Sequence, residues 1–356
     1  MPSRRTRPEN KGLPTRWRYT FGAYRYQVPP GMEEFWDGKK TFKLGKTLHE
    51  AYAVWAERIG AIDDVKTVSD LLDRYAIEVI PTKSFKTQKE NIKQAKCLKA
   101  VFGHMPILSV TPQHVYQYVD KRRKKTKDGK GGFVAAKREY ALLSHAYTKA
   151  VEWGLINRHP FRGQVRFKSE KPRTRYIEDW EILECLAIEP PKCGKSAIPV
   201  IQAYMRLKLL TGLRKGDMLR LKTKNLKSDG IHVKTSKTGK GIIYEWSDEL
   251  RKTIDLILDI RPVDISPYLF CTTRGKPYID ENTGNTSGWD SCWQRFMKKV
   301  MEETNIKDRF TDHDLRAKCA SDAGTLEHAQ KLLGHADSAI TERVYRRKSE
   351  KVKPLK

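Results

Sequence analysis

The residues whose types and spacing could do chemistry lie beyond position 210. They are Thr211-Gly-Leu-Arg214, Ser236-Lys237-Thr-Gly239, His313-Asp-Leu-Arg316, Leu333-Gly-His335 and Tyr345. Such a set can cut and rejoin a phosphodiester without metal or nucleotide. The scissile phosphate carries one negative charge, and more develops on its oxygens in the transition state. Two guanidinium forks, Arg214 and Arg316, can hold those oxygens bidentately. A tyrosine oxygen can attack phosphorus, although a pKa of about 10 calls for a base or a positive field. The leaving 5′ oxygen needs a proton, which a lysine on a hairpin can supply. The imidazoles of His313 and His335 can hydrogen-bond the phosphate or handle the tyrosine proton. Singly, each residue has an ordinary structural reading: Arg214 a surface cation at a helix end, His335 a cap residue, Tyr345 core packing. Chemistry alone cannot choose among 70 Lys and Arg residues.

Elements must bring these words together. Residues 231–246 alternate in β fashion around Lys237-Thr-Gly-Lys-Gly241, which predicts a hairpin in an otherwise mainly helical segment. Its register leaves Lys240 a rival to Lys237 as the acid, and Lys234 a weaker one. Trp289 and Trp293, four apart, read as a buried helical face, and His328 as a surface residue.

Upstream, Arg16 to Val28 alternates aromatic and basic residues, which suits short strands, with Gly31 and Gly38 as turn signals and Phe42 and Leu44 in a third strand. Thr47 and Glu50 form a capping box that opens a helix running to about Ile59. From Val65 to Phe167 the pattern is helical: starts at Thr67 and Thr111-Pro112, an amphipathic run from Lys86 to Phe102, and a long helix from Phe133 to Gly154. Lys124 to Gly132 reads as a basic, glycine-containing loop. Lys168 to Arg175 is polar and basic, the best linker. The domains expected are therefore 1–64, 65–167 and 176–356, with the linker at 168–175.

Composition narrows the partner. The net charge is +27, which favours a polyanion, nucleic acid first among them. The charge is concentrated: seven Lys/Arg in residues 1–25, nine in 121–138 and seven in 343–356, each run with a single acid. Arg4, Arg5, Arg16 and Arg18 in the first run, and Lys121, Arg122, Arg123, Lys124 and Lys125 in the second, are the candidate DNA contacts. A three-stranded sheet with a helix is a plausible DNA reader, because a strand ribbon fits the major groove. No apolar run reaches about 18 residues, so no membrane span is expected. The charged start, Met1-Pro-Ser-Arg4-Arg5, has no apolar stretch behind it and does not read as a secretory signal. The six cysteines, at 97, 185, 193, 271, 292 and 319, lack zinc spacing and read as reduced thiols of a cytoplasmic protein.

Arg…Lys…His-x-x-Arg…Gly-His…Tyr, in this order and at these separations, resembles the tyrosine recombinase family, which includes phage integrases and chromosome-dimer-resolving recombinases. The resemblance covers nearly the whole catalytic half. It implies an α+β multidomain chain: a small three-stranded-sheet arm-binding domain, a helical SAM-like core-binding domain, and a mainly helical catalytic domain with a β-hairpin. It implies that Arg214 and Arg316 hold the scissile phosphate, Lys237 is the general acid, His313 is general base or phosphate ligand, His335 hydrogen-bonds the phosphate, and Tyr345 joins the 3′ phosphate covalently. No cofactor or metal is called for, since the phosphotyrosine keeps the bond energy of the broken phosphodiester. The implied partners are double-stranded attachment sites, a homotetramer on DNA, a host DNA-bending protein and an excisionase, acting at the nucleoid of a bacterial host. One departure stands out: His335 and Tyr345 are ten positions apart, where the family leads one to expect nine. Two rivals fit the same residues, a type IB topoisomerase-like enzyme and a non-catalytic DNA-binding protein derived from an integrase.

Overall fold

The computed structural model describes residues 10, 13–14, 16–60, 65–124, 130–168, 172–192, 196–349 and 353–355. The chain divides into two units, Met1–Glu170 and Lys171–Lys356, with the boundary inside the basic 168–175 stretch.

The first unit opens with an antiparallel three-stranded sheet, β1 (Trp17–Thr20), β2 (Ala23–Gln27) and β3 (Thr41–Gly45), in that spatial order. The strands alternate. Trp17, Tyr26 and Phe42 lie opposite one another and are buried, whereas Arg18, Arg25 and Lys43 form the next row across the same strands. Trp36, at the end of a short turn before β3, stacks on Trp55 of helix α1 (Leu48–Gly60) with ring centroids 5.3 Å apart, and Tyr26 packs against both rings. The predicted capping box is present: Thr47 Oγ1 accepts from the Glu50 amide at 3.2 Å, and the Thr47 amide donates to Glu50 at 3.3 Å. The β1–β2 turn falls at Phe21-Gly22, and Gly31 (φ +87°) and Gly38 (φ +69°) supply the turns expected of them between β2 and β3.

Four helices follow: α2 (Val68–Glu78), α3 (Phe85–Phe102), α4 (Pro112–Lys124) and α5 (Lys130–Glu152). Leu71, Leu72, Tyr75, Leu98, Tyr118, Leu143 and Tyr147 recur at helical spacing and bury one continuous core that also takes in the aromatic residues of the sheet. Helix α5 begins at Lys130, so the two glycines read as loop lie in its first turn. The reason is close packing: a Cβ at Gly132 would collide with the Arg122 carbonyl of α4.

The second unit consists of α6 (Asp179–Ala187), α7 (Ile198–Thr211), the short α8 (Lys215–Met218), a hairpin of β4 (Gly230–Lys234) and β5 (Gly241–Glu245), then α9 (Asp248–Asp259), α10 (Ser287–Glu303), α11 (Asp312–Asp322), α12 (Leu326–Leu333) and α13 (Ser338–Ile340). A single π-turn, Thr341–Tyr345, ends it. The core is apolar and aromatic. Trp289 is fully buried with its ring 4.5 Å from Tyr204, and Trp293 is buried beside it on α10. No helix among the described residues is long and apolar enough to cross a membrane.

Candidate active site

The words separated by more than a hundred positions converge on α11. Arg316 projects from its middle and is 1 % exposed. Its guanidinium donates to the carbonyl of Gly212, to the carbonyl of Leu333 at 2.8 Å, and to His335 Nε2 at 3.1 Å. The end of α7 and the end of α12 are thereby tied to one charge. Because guanidinium only donates, His335 Nε2 is the acceptor here. Nδ1 then carries the hydrogen and donates to Thr341 Oγ1 at 2.9 Å. Burial, followed by the charges of Arg316, Arg214, His313 and Lys237, pushes the His335 pKa down to about 4. The imidazole is therefore neutral at neutral pH, in agreement with its accepting role.

Tyr345 is buried against these groups. Its ring centroid lies 5.0 Å from that of His335 and 5.3 Å from that of His313, and the Arg316 guanidinium sits over it at 5.5 Å. The phenol oxygen is 3.1 Å from His313 Nε2, within general-base reach. The His313 pKa is held below its ordinary value by burial first, then by the charges of Lys208 and Arg316. A neutral imidazole can accept the phenolic proton. Beneath it Lys208, fully buried, donates to both oxygens of Asp312 at 2.8 Å, and Tyr204 donates to Asp312 at 2.7 Å.

The second fork, Arg214, begins α8 and is half-buried. Burial first, and then the charge of Arg214, lowers the Arg316 pKa. Arg214 Nη1 and Arg316 Nε are buried without a hydrogen-bond partner among the described residues. Two neighbouring cations with unmatched donors form a site for a doubly chelated anion.

Lys237 lies on the exposed turn of the hairpin. The base of that hairpin is fixed: Tyr244 donates to the Leu332 carbonyl at 2.9 Å, and the Ser236 amide donates to the buried Asp217 at 2.8 Å. A Cβ at Gly334 would lie 2.5 Å from Ile242, so only glycine, at φ +62°, lets the hairpin meet the Leu-Gly-His turn. The charge of Lys237 is among those that lower the His335 pKa.

The segment bearing Tyr345 is clasped. Ser321 donates to the Tyr345 carbonyl at 2.9 Å and accepts from the Arg347 amide at 2.8 Å. Arg347 pairs with the buried Asp314 at 2.6 Å and also donates to the Arg175 carbonyl at 3.0 Å. Asp314 caps α11 through Thr311 at 2.8 Å and pairs with Arg173 at 3.1 Å.

The candidate DNA contacts fall into three kinds. Arg18, Lys121 and Arg123 are exposed. Arg16 is turned inward onto Gln88, and Arg122 grips the buried Glu139, whose carboxylate also accepts from Tyr118. Arg4, Arg5 and Lys125 lie outside the described residues, as does the side chain of Lys124.

Residues 189–351 match the phage integrase family. The chain carries a phage integrase domain there and is a tyrosine-type site-specific recombinase. The recombinase is similar over 295 residues, at 24% identity, to the integrases of Enterobacteria phage 434 and of Escherichia phage lambda, covering 78% of this chain and 75% of each relative. A 118-residue stretch is 33% identical to the integrase of Escherichia phage P2, a third of each chain. Its fold matches the lambda integrase tetramer bound to a Holliday junction with a TM-score of 0.64 at 23% identity, over 97% of this chain and 99% of that one. It also matches the Tn1549 transposon integrase with a TM-score of 0.58 at 17% identity, over 78% and 94%. These likenesses favour neither the topoisomerase nor the non-catalytic reading.

Sequence reasoning did not single out Asp314, Arg347, Ser321, Lys208 or Thr341. The Thr311-x-x-Asp314 spacing was a usable sign of a capped helix start. The rest are partners chosen by tertiary packing.

Proposed function

We propose that the protein is a site-specific recombinase that integrates and excises phage or mobile-element DNA through a 3′-phosphotyrosyl intermediate, with the roles divided as the geometry supports. Arg214 and Arg316 chelate the scissile phosphate. His313 takes the phenolic proton as Tyr345 oxygen bonds to phosphorus. The bond to the 5′ oxygen breaks, and Lys237 protonates that oxygen. Attack by a 5′ hydroxyl on the phosphotyrosine reverses the steps and reseals the strand. His335 accepts from Arg316 before DNA arrives; the phosphate's negative charge raises its proton affinity, and with a proton taken up from solvent it can donate to the phosphate. The observation that carries the reading is the 3.1 Å contact between Tyr345 and His313 beside two guanidiniums with unmatched donors.

The assembly proposed is a homotetramer on two double-stranded attachment sites, in a bacterial cytoplasm, with a host DNA-bending protein and an excisionase setting direction. The sheet module, 1–64, would bind arm-type DNA, 65–167 and 176–356 the core site, joined by the 168–175 linker. The test is a nicked suicide duplex built on the attachment site next to the gene. The wild-type chain should form a covalent adduct on the 3′ side, and Tyr345→Phe none. An adduct formed by Tyr345→Phe would remove Tyr345 as nucleophile.

A further inference from the structure

The β1–β2 hairpin closes through two residues, with Thr20 opposite Ala23 and Phe21-Gly22 between them. Both central residues have positive φ, +53° at Phe21 and +68° at Gly22, which is the geometry of a type I′ turn. The first position of that turn ordinarily holds Asn, Asp or Gly. A bulky side chain in the left-handed region is an outlier, and such outliers concentrate where a function requires them. Phe21 is moreover 93 % exposed, so the ring adds nothing to the core in return for the backbone cost.

The surroundings identify what the ring meets. Arg18, Arg25 and Lys43 lie directly opposite one another across all three strands. Like charges in cross-strand register destabilise a sheet unless an anion lies against them. Arg25 also reaches along the hairpin to the Thr20 carbonyl, 3.4 Å away, toward the tip. A cationic stripe on a narrow ribbon that ends in one exposed aromatic ring matches a DNA major groove, with phosphates beside the stripe and base edges at the tip. The apolar group exposed in that groove is the thymine 5-methyl.

We infer that Phe21 is a base-reading residue, packing on thymine methyls in the major groove of the duplex that the sheet binds. This rests on the proposed DNA-binding role of the sheet and deepens it. The probe is a set of duplexes selected from random sequence by the full-length chain, each made with thymine and again with deoxyuracil, which lacks only the methyl. Wild-type affinity should fall about four-fold for each contacted methyl lost, whereas Phe21→Asn should bind both versions equally. Asn-Gly is the preferred type I′ pair, so Phe21→Asn should melt at the wild-type temperature or higher, which separates lost contact from lost fold. Equal sensitivity to the methyl in wild type and Phe21→Asn would overturn the assignment. An Arg18→Ala, Arg25→Ala double variant decides the underlying reading. Weakened binding supports the sheet as a DNA surface, and unchanged binding overturns that reading and the Phe21 role with it.

Discussion

His335 shows how one residue's state is set by its neighbours. It accepts from Arg316 and donates to Thr341, and its pKa is pushed to about 4 by burial and four nearby basic groups. An unfolded chain would hold that imidazole at about 6.5. Between these values the unfolded state binds protons that the folded site refuses, so stability rises with pH from about 4 to 6.5 and levels off above. Denaturant unfolding at stepped pH should show that slope, and His335→Gln should flatten part of it; a variant with the wild-type slope would show that His335 does not contribute. His313 is depressed too, by burial first, and adds a slope of the same sign. The candidate catalytic side chains could be singled out in the sequence because each sits inside a local word whose glycine, cap or charge is imposed by its own turn. Their partners could not be: Arg316 binds the Gly212 carbonyl and Lys208 binds Asp312, each 104 positions away. Nothing local marks a pairing of that kind. Arg16 and Arg122 show a further limit, since charge runs do not distinguish a cation that faces solvent from one folded onto Gln88 or Glu139.

At the scale of elements, the ten-residue spacing between His335 and Tyr345 finds its explanation in the π-turn. The Arg346 amide donates to the Thr341 carbonyl at 3.0 Å, five residues back, where an α-helix would reach four. One extra residue is thus absorbed in a single widened turn, while buried Thr341 still reaches His335 and buried Tyr345 still reaches His313. The extra residue is therefore dispensable. Deleting exposed Glu342 should close an ordinary α-turn between the same ends and leave cleavage within about tenfold of wild type. Inserting an alanine there should swing the phenol away and cost about a hundredfold or more, the usual effect of an ångström-scale misplacement. Single-turnover cleavage of the suicide duplex measures both, and equal losses would mean that the turn does not set the position of the Tyr345 phenol. Most helices were legible from caps and periodicity, as at Thr47, Thr67 and Thr111. The start of α5 was missed because glycines that read as loop serve there to admit a neighbouring backbone, and the Phe21-Gly22 turn was missed because phenylalanine is not a turn residue.

For the whole molecule the question is which of 70 basic side chains meet DNA. Counterion release makes binding fall with salt, with a slope of about 0.9 per neutralised phosphate on duplex DNA. A cation that contacts phosphate therefore leaves a mark on the slope, whereas a cation that holds the fold leaves its mark on stability. Neighbours on α4 make the contrast available within two positions. Lys121 is exposed, whereas Arg122 is paired with Glu139, a carboxylate 3 % exposed that also accepts from Tyr118 at 2.6 Å. Lys121→Ala should lower the salt slope by about one unit and leave the melting temperature unchanged. Arg122→Ala strands a buried charge, which costs about 3–5 kcal/mol, so it should lower the melting temperature by several degrees while the slope of the remaining folded protein stays as it was. Binding isotherms over a salt series, run beside thermal melts, separate the two. If Arg122→Ala lowered the slope with no loss of stability, its pairing with Glu139 would have to give way to phosphate in the complex, and the second basic run would face DNA as a continuous surface.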